Sequence, residues 1–253
     1  MREILFSNKF IIMKNILLSI LFTISVTALM AVSGYEVNFN QPDPGTFELQ
    51  FDLGEYDLTT FTAEGETFTK IVFEGSVNTN KKGFAELPFL HASVQLSADK
   101  NVSLKIIEGD YVEYSLTNPM IPSRGVIYRN QDPSTVPYEI APSSMRDEWY
   151  PQNFAKNTTP FIVRDLRGTS VYVYPFRYNA VQQVLRVYKN ITVQLVENNS
   201  SPVNPLVQKT TVIEREMDPI YKSLFINYNT AKDLTIGEYG EILVLCTSRD
   251  ETV

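Results

Sequence analysis

Apolar residues recur at every second position along much of this chain. In TFELQFDLGEYDLTTFTAEGETFTKIVFEG, Phe47, Leu49, Phe51 and Leu53 lie two apart among polar neighbours, the period of a strand with one face buried. This acidic, alternating stretch runs from Tyr35 to about Lys82. A turn at NTNKKG (Asn78–Gly83) leads into FAELPFLHASVQLSADKNVSLKIIEGDYVEYSL, which reads as two or three strands punctuated by polar clusters. Further on, Val171 and Val173 face opposite to Tyr172 and Tyr174, and Val184–Val196 alternates again, with YNAVQQ as the hairpin between them. Meander or Greek-key connections are the economical way to join such strands, so the pattern predicts an all-β, antiparallel, sandwich-like or jelly-roll-like domain.

Two regions depart from that rhythm. Residues 117–160 carry seven prolines (119, 122, 133, 137, 142, 151 and 160) and little periodicity. A loop of that length in a compact domain is usually functional or disordered. Tyr128, Tyr138, Trp149, Tyr150 and Phe154 argue against disorder, because they give the segment apolar surface to pack. Near the C-terminus, Asp218-Pro219 predicts a short helix with proline at its first position and Ile220, Leu224 and Phe225 at helical spacing. NTAKDLTIGEYG then reads as a polar linker. EILVLC, a continuous apolar run, fits a strand buried on both faces in a parallel sheet, the first strand of a different domain.

The N-terminus has a pattern of its own. Lys14 precedes an apolar run from Ile16 to Val32, and Ser33 and Gly34 follow it. That order predicts a secretory signal peptide over residues 1–34, cleaved near Ala31 to Gly34, with Met13 a reasonable true start. The alternative is a retained membrane anchor, since about 20 apolar residues span a bilayer.

Composition narrows the chemistry. Fourteen tyrosines and fifteen phenylalanines favour pleated, half-buried surfaces, and fourteen prolines oppose long helices. A net charge of -7 provides no basic face for nucleic acid. With one cysteine, Cys246, and one histidine, His91, the sequence contains neither an intramolecular disulfide nor a Cys/His metal cluster. His91 lies in a strand and Cys246 ends an apolar run, where a thiol is more often a small core residue than a nucleophile. No GxSxG, HExxH or CxxC accompanies them, so this segment is expected to be non-catalytic, with no cofactor and no metal. Asp165, between Arg164 and Arg167 and followed by Gly168, reads as a turn with local charge pairing. Tyr172, Tyr174, Phe176 and Tyr178 are expected to pack across strands. The alternative is that Tyr172, Tyr174 or Trp149 serve as stacking platforms of a carbohydrate-binding β-sandwich.

PSRGVIYRNQDP (residues 122–133) holds two arginines five apart between prolines. Together with PFIVRDLRGTSVYVYPFRYNAVQQVLRVYKNITVQL and IYKSLFINY, in that order, it resembles the N-terminal propeptide of gingipain-type secreted cysteine peptidases over about residues 85–253. The resemblance implies a bacterial zymogen: a signal peptide (1–34), an inhibitory β prodomain (35–232), and from residue 233 to 253 the start of a caspase-like α/β catalytic domain whose His/Cys dyad lies beyond Val253. The implied partner is the catalytic domain of the same chain. Export through the periplasm would bring the protein to the cell surface or medium, with no stable membrane anchor after signal removal.

In that family a basic residue of a prodomain loop enters the specificity pocket. The matching position in Ser-basic-Gly-Val-Ile-x-Arg is Arg129, flanked by Tyr128 and Asn130, with Arg124 as the competing candidate. A guanidinium offers planar donors that fit a carboxylate bidentately, and nearby prolines lower the ordering cost of binding. The same resemblance puts the processing junction at Lys232, with Asp233 starting the mature enzyme. Arg129 points to an Arg-preferring parent enzyme, whereas Lys232 suits a Lys-preferring one or a separate processing peptidase.

Overall fold

In the computed structural model, the described residues are 34–207, 212–228 and 235–237. The expected signal peptide (1–34) apart from Gly34, the expected junction at Lys232 and Asp233, and EILVLC with Cys246 lie outside them.

The first four strands are two hairpins. β1 (Tyr35–Asp43) and β2 (Thr46–Leu53) are joined through Pro44-Gly45. β3 (Asp57–Ala63) and β4 (Glu66–Val72) are joined through Glu64-Gly65. Glu64 and Gly65 both have positive φ (53° and 84°), the backbone a two-residue hairpin loop needs to match strand twist. β5 (Val77–Asn78), β6 (Pro88–Leu96), β7 (Asn101–Glu108) and β8 (Tyr111–Ser115) precede the proline-rich segment. β9 (Ala155–Asn157), β10 (Phe161–Val163), β11 (Leu166–Val173), β12 (Phe176–Asn179), β13 (Val184–Tyr188) and β14 (Asn190–Asn198) follow it. The β12–β13 connection is the expected YNAVQQ hairpin, where the Asn179 side chain accepts bonds from the Val181 and Gln182 amides.

Strand order is β1-β2-β14-β7 in one antiparallel sheet and β10-β11-β6-β5 in a second, with β9 also pairing β11; β12-β13-β8 form a third. The alternation read from sequence is what joins them. Leu49 and Phe51 of β2, Ile191, Val193 and Leu195 of β14, Leu90 and Val94 of β6, and Val171 and Val173 of β11 are all at most 1% exposed and share one core. Each such side chain contributes about 1.5–3 kcal/mol over its exposed state. The fold is thus the all-β, antiparallel, sandwich-like one expected. The opposite face of the second sheet carries Phe89, His91 and Tyr172, where Phe89 and Tyr172 meet edge to face.

At the C-terminal end the sequence reading needs two corrections. The helix α1 (Met217–Leu224) begins two residues before Pro219, which therefore occupies its third position. That is still the first turn, where a backbone N–H has no intrahelical acceptor to lose. Its buried residues are Asp218 and Tyr221, followed by buried Phe225 just past its end, while Ile220 is 47% exposed. Tyr221 can turn inward because its hydroxyl has polar partners there: it donates to Asp165 Oδ2 (3.0 Å) and accepts from the Asp165 amide (3.3 Å). Leu166, Ile213, Tyr221 and Phe225 form a second small core. Secondly, part of the expected linker is a strand: β15 (Val212–Glu214) pairs in parallel with β16 (Thr235–Gly237), and the Arg215 amide bonds Gly237 O at 3.1 Å.

Candidate functional site

The proline-rich segment is ordered from its base outward. Residues 119–123 lie between β4 and the chain entering β6. On one side the Thr69 amide bonds Pro119 O (2.7 Å) and the Ile121 amide bonds Thr69 O (2.8 Å). On the other, Ser123 N donates to Phe84 O and Gly83 N to Ser123 O, both at 2.8 Å. Met120, Ile121 and Ser123 are buried as a result. Gly125 has φ +78°, a left-handed angle that favours glycine, and a Cβ there would meet Lys82 Cβ at 3.0 Å.

Arg124 belongs to this base. Its Nη1 donates to Pro133 O at 2.6 Å, and its guanidinium lies 4.6 Å from the centre of the Tyr138 ring. Tyr138 packs in turn on Phe61 and Phe68. The guanidinium thus ties the two limbs of the loop together and, through Tyr138, to the β3–β4 hairpin.

Beyond Gly125 the chain turns outward. Val126 and Tyr128 are 62% and 66% exposed. A turn closes over Tyr128–Gln131: the Gln131 amide bonds Tyr128 O and the Gln131 side-chain carbonyl accepts from the Tyr128 amide, both at 2.9 Å. Asp132 then caps the short 3-10 turn Pro133–Thr135 by accepting from Ser134 N at 2.9 Å. The Ser134 amide and hydroxyl, by bonding the charged carboxylate, hold Asp132 below the usual carboxylate range. Arg129 and Asn130 occupy the centre of the closed turn, and both are exposed. The Arg129 side chain makes no hydrogen bond, ion pair or ring contact with any described residue.

Gln131 and Asp132, which shape the loop, carry no role in the sequence reading, and Tyr138 enters it only as one of the aromatics that give the segment apolar surface to pack. Only Asp132 had a local signal, since Asp-Pro followed by Ser-Thr is a capping pattern. The Gln131 and Tyr138 contacts depend on where the chain folds back.

The remaining candidates separate cleanly. Asp165 lies in the β10–β11 turn as expected, and Arg164 beside it pairs with Glu214 and not with a ligand-facing group. Arg167 is 1% exposed and donates to the carbonyls of Ser97, Val203 and Asn204, which makes it a buried staple for the polar segment after β14. Trp149, Tyr172 and Tyr174 line one open cleft of about 620 Å³. Among the described residues, no group of three or more His, Cys, Asp or Glu side chains is placed to hold a metal ion.

Comparisons place this architecture. The family model Propeptide_C25 matches residues 39–235. Gingipain R1 of Porphyromonas gingivalis is 31% identical over 208 residues, 81% of this chain and 20% of its own length. This chain therefore spans about a fifth of that relative. Lys-gingipain HG66 of the same organism is 21% identical over 184 residues, 71% of this chain and 11% of its own length. Among solved structures, the complex of P. gingivalis RgpB pro- and mature domains superposes with a TM-score of 0.68 at 28% identity, covering 76% of this chain and 95% of that one. A structure of gingipain K from P. gingivalis, concerned with its zymogenic latency, shares the fold with a TM-score of 0.58 at 19% identity, covering 68% of this chain and 97% of that one. With the family match running through nearly every described strand, and with this fold, the chain belongs to the Propeptide_C25 family, a propeptide of the gingipain type.

Proposed function

We propose that residues 35–232 are the inhibitory prodomain of an exported cysteine endopeptidase, and that Arg129 blocks its specificity pocket. The observation that carries this reading is the unpaired Arg129 side chain at the tip of a loop whose base is bonded on both sides. A free guanidinium on a pre-shaped turn loses little entropy on docking, and its planar donors suit a buried carboxylate. Arg124 is a poorer candidate, because entering a pocket would break its bond to Pro133 O and its stack on Tyr138.

The partner in this reading is a catalytic domain continuing from Asp233, and Lys232 is the processing position. Residues 1–34 direct export through the periplasm. The RgpB structure, a complex of pro- and mature domains, supports the idea that such a prodomain binds its own enzyme. Identity of 31% with Gingipain R1, against 21% with Lys-gingipain HG66, supports an Arg-preferring parent, in agreement with Arg129. Lys232 then falls to a different processing peptidase.

The test is titration of the cognate mature peptidase with the purified chain and its variants. Arg129→Ala is expected to weaken inhibition by about 2–5 kcal/mol, the usual consequence of removing one partner of a buried, bonded charge pair. Full inhibition by Arg129→Ala removes the anchor role.

A further inference from the structure

The cleft holding Trp149, Tyr172 and Tyr174 has no part in the inhibitory reading. Its floor is the outer face of the second sheet, where Tyr172 lies across from Lys156 in the β11–β9 register. Its wall comes from the proline-rich segment through Arg146, Trp149 and Tyr150. The volume of about 620 Å³ is within the range of small-ligand sites. Its charge runs against the rest of the molecule: Lys81, Arg146 and Lys156 line it beside a single acid, Glu148, in a chain of net charge -7.

We propose that this cleft binds an acidic saccharide, a uronate-containing oligosaccharide being the simplest case. The juxtaposition that points there is Lys156 with the two tyrosines. Its Nζ lies 5.7 Å from the ring centres of both Tyr172 and Tyr174. A pyranose ring laid on the half-buried Tyr172 buries its apolar C–H face and brings a carboxylate on that ring within reach of the ammonium, with the buried Tyr174 ring behind it. The amides of Gln152 and Asn153 and the hydroxyl of Ser143, all on exposed residues of the lining, offer both donors and acceptors, as sugar hydroxyls require. The site is independent of Arg129 and of the proposed inhibition.

Trp149 is the only tryptophan in the chain, so intrinsic tryptophan fluorescence reports on this cleft directly. The full chain is titrated with trigalacturonate, with maltotriose as the neutral control and hexaglutamate as the acidic peptide control. Trigalacturonate is expected to give a saturable change, with maltotriose about tenfold weaker as two or three surface charge contacts are lost. Lys156→Ala weakens binding about threefold, a single exposed ion pair. Lys156→Glu weakens it further, and Arg129→Ala leaves it unchanged. The proposal is overturned by the absence of a saturable change, by equal affinity for maltotriose, by Lys156→Glu behaving as the parent chain, or by hexaglutamate matching trigalacturonate. That last result reassigns the cleft to acidic peptides.

Discussion

The base and the tip of the proline-rich loop treat the same kind of residue in opposite ways. At the base, Arg124 is half-buried, bonded to Pro133 O and stacked on Tyr138. At the tip, five residues on, Arg129 is exposed and bonded to no described residue. The backbone follows the same division. Residues 119–123 are hydrogen-bonded to neighbours on both sides, whereas residues 128–131 are held only by their own turn. A group that is to bind elsewhere has to be left without internal partners, and it can be left so only where the surrounding chain is shaped without it. The first arginine shapes the chain and the second is presented by it.

The sharpest way to break that comparison is to exchange the phenotypes of the two arginines. Arg129→Ala carries the large loss of inhibition given above, yet the thermal midpoint is expected to stay put, because an exposed, unpaired side chain changes stability by no more than about 0.5 kcal/mol. Arg124→Ala is expected to destabilise the chain by about 1–2 kcal/mol, from a charged hydrogen bond and a cation–π contact, read as a lower denaturant midpoint. Its effect on inhibition should be the smaller of the two. A stable Arg124→Ala beside a destabilised Arg129→Ala inverts the assignment of base and tip.

How far sequence carried the argument depends on the range of the interaction. Period-two alternation located β2, β11 and β14 and their buried faces, because a strand's in-out pattern is local. The YNAVQQ hairpin and the Arg164-Asp165 turn were readable for the same reason. α1 shows the limit: Ile220, at helical spacing with Leu224 and Phe225, is the more apolar residue, but Tyr221 is the buried one because Asp165, 56 positions away, bonds its hydroxyl. β16 was missed as well, since Thr-Ile-Gly has no strand signal until Val212–Glu214 lies beside it. Within the loop, two arginines were legible as candidates. What separates them, the carbonyl of Pro133 and the ring of Tyr138, depends on the chain folding back. The convergence of Trp149, Tyr172 and Tyr174 on one cleft depends on the same return.

A finer test concerns what shapes the tip. Gln131 closes the turn through its side-chain bond to the Tyr128 amide and contributes nothing to the base. Gln131→Ala is expected to weaken inhibition by about 0.5–1.5 kcal/mol, one hydrogen bond's worth of ordering, with no change in the denaturant midpoint. Unchanged inhibition means the turn forms on docking and is not pre-shaped, and the entropic part of the Arg129 argument then fails.

The smallest effect is a protonation at the tip. Asp132 has its carboxyl lowered by the amide and hydroxyl of Ser134, so its charged form is favoured in the folded chain. For a lowered carboxyl, the contribution to order is fully present above the unfolded value near pH 3.9 and disappears as pH falls through the lower folded value. The capped turn Pro133–Thr135, whose Pro133 carbonyl also accepts from Arg124, should therefore loosen only below about pH 4, while the backbone-to-backbone bonds of residues 119–123 do not respond over that window. The Ser134 amide resonance is the direct probe: it should titrate with a midpoint below that of an ordinary aspartate, and Asp132→Asn should abolish the step. A midpoint at the ordinary value means that Ser134 does not hold the carboxylate in solution. The tip is then less shaped than the base, and the division between the two becomes one of order as well as of partners.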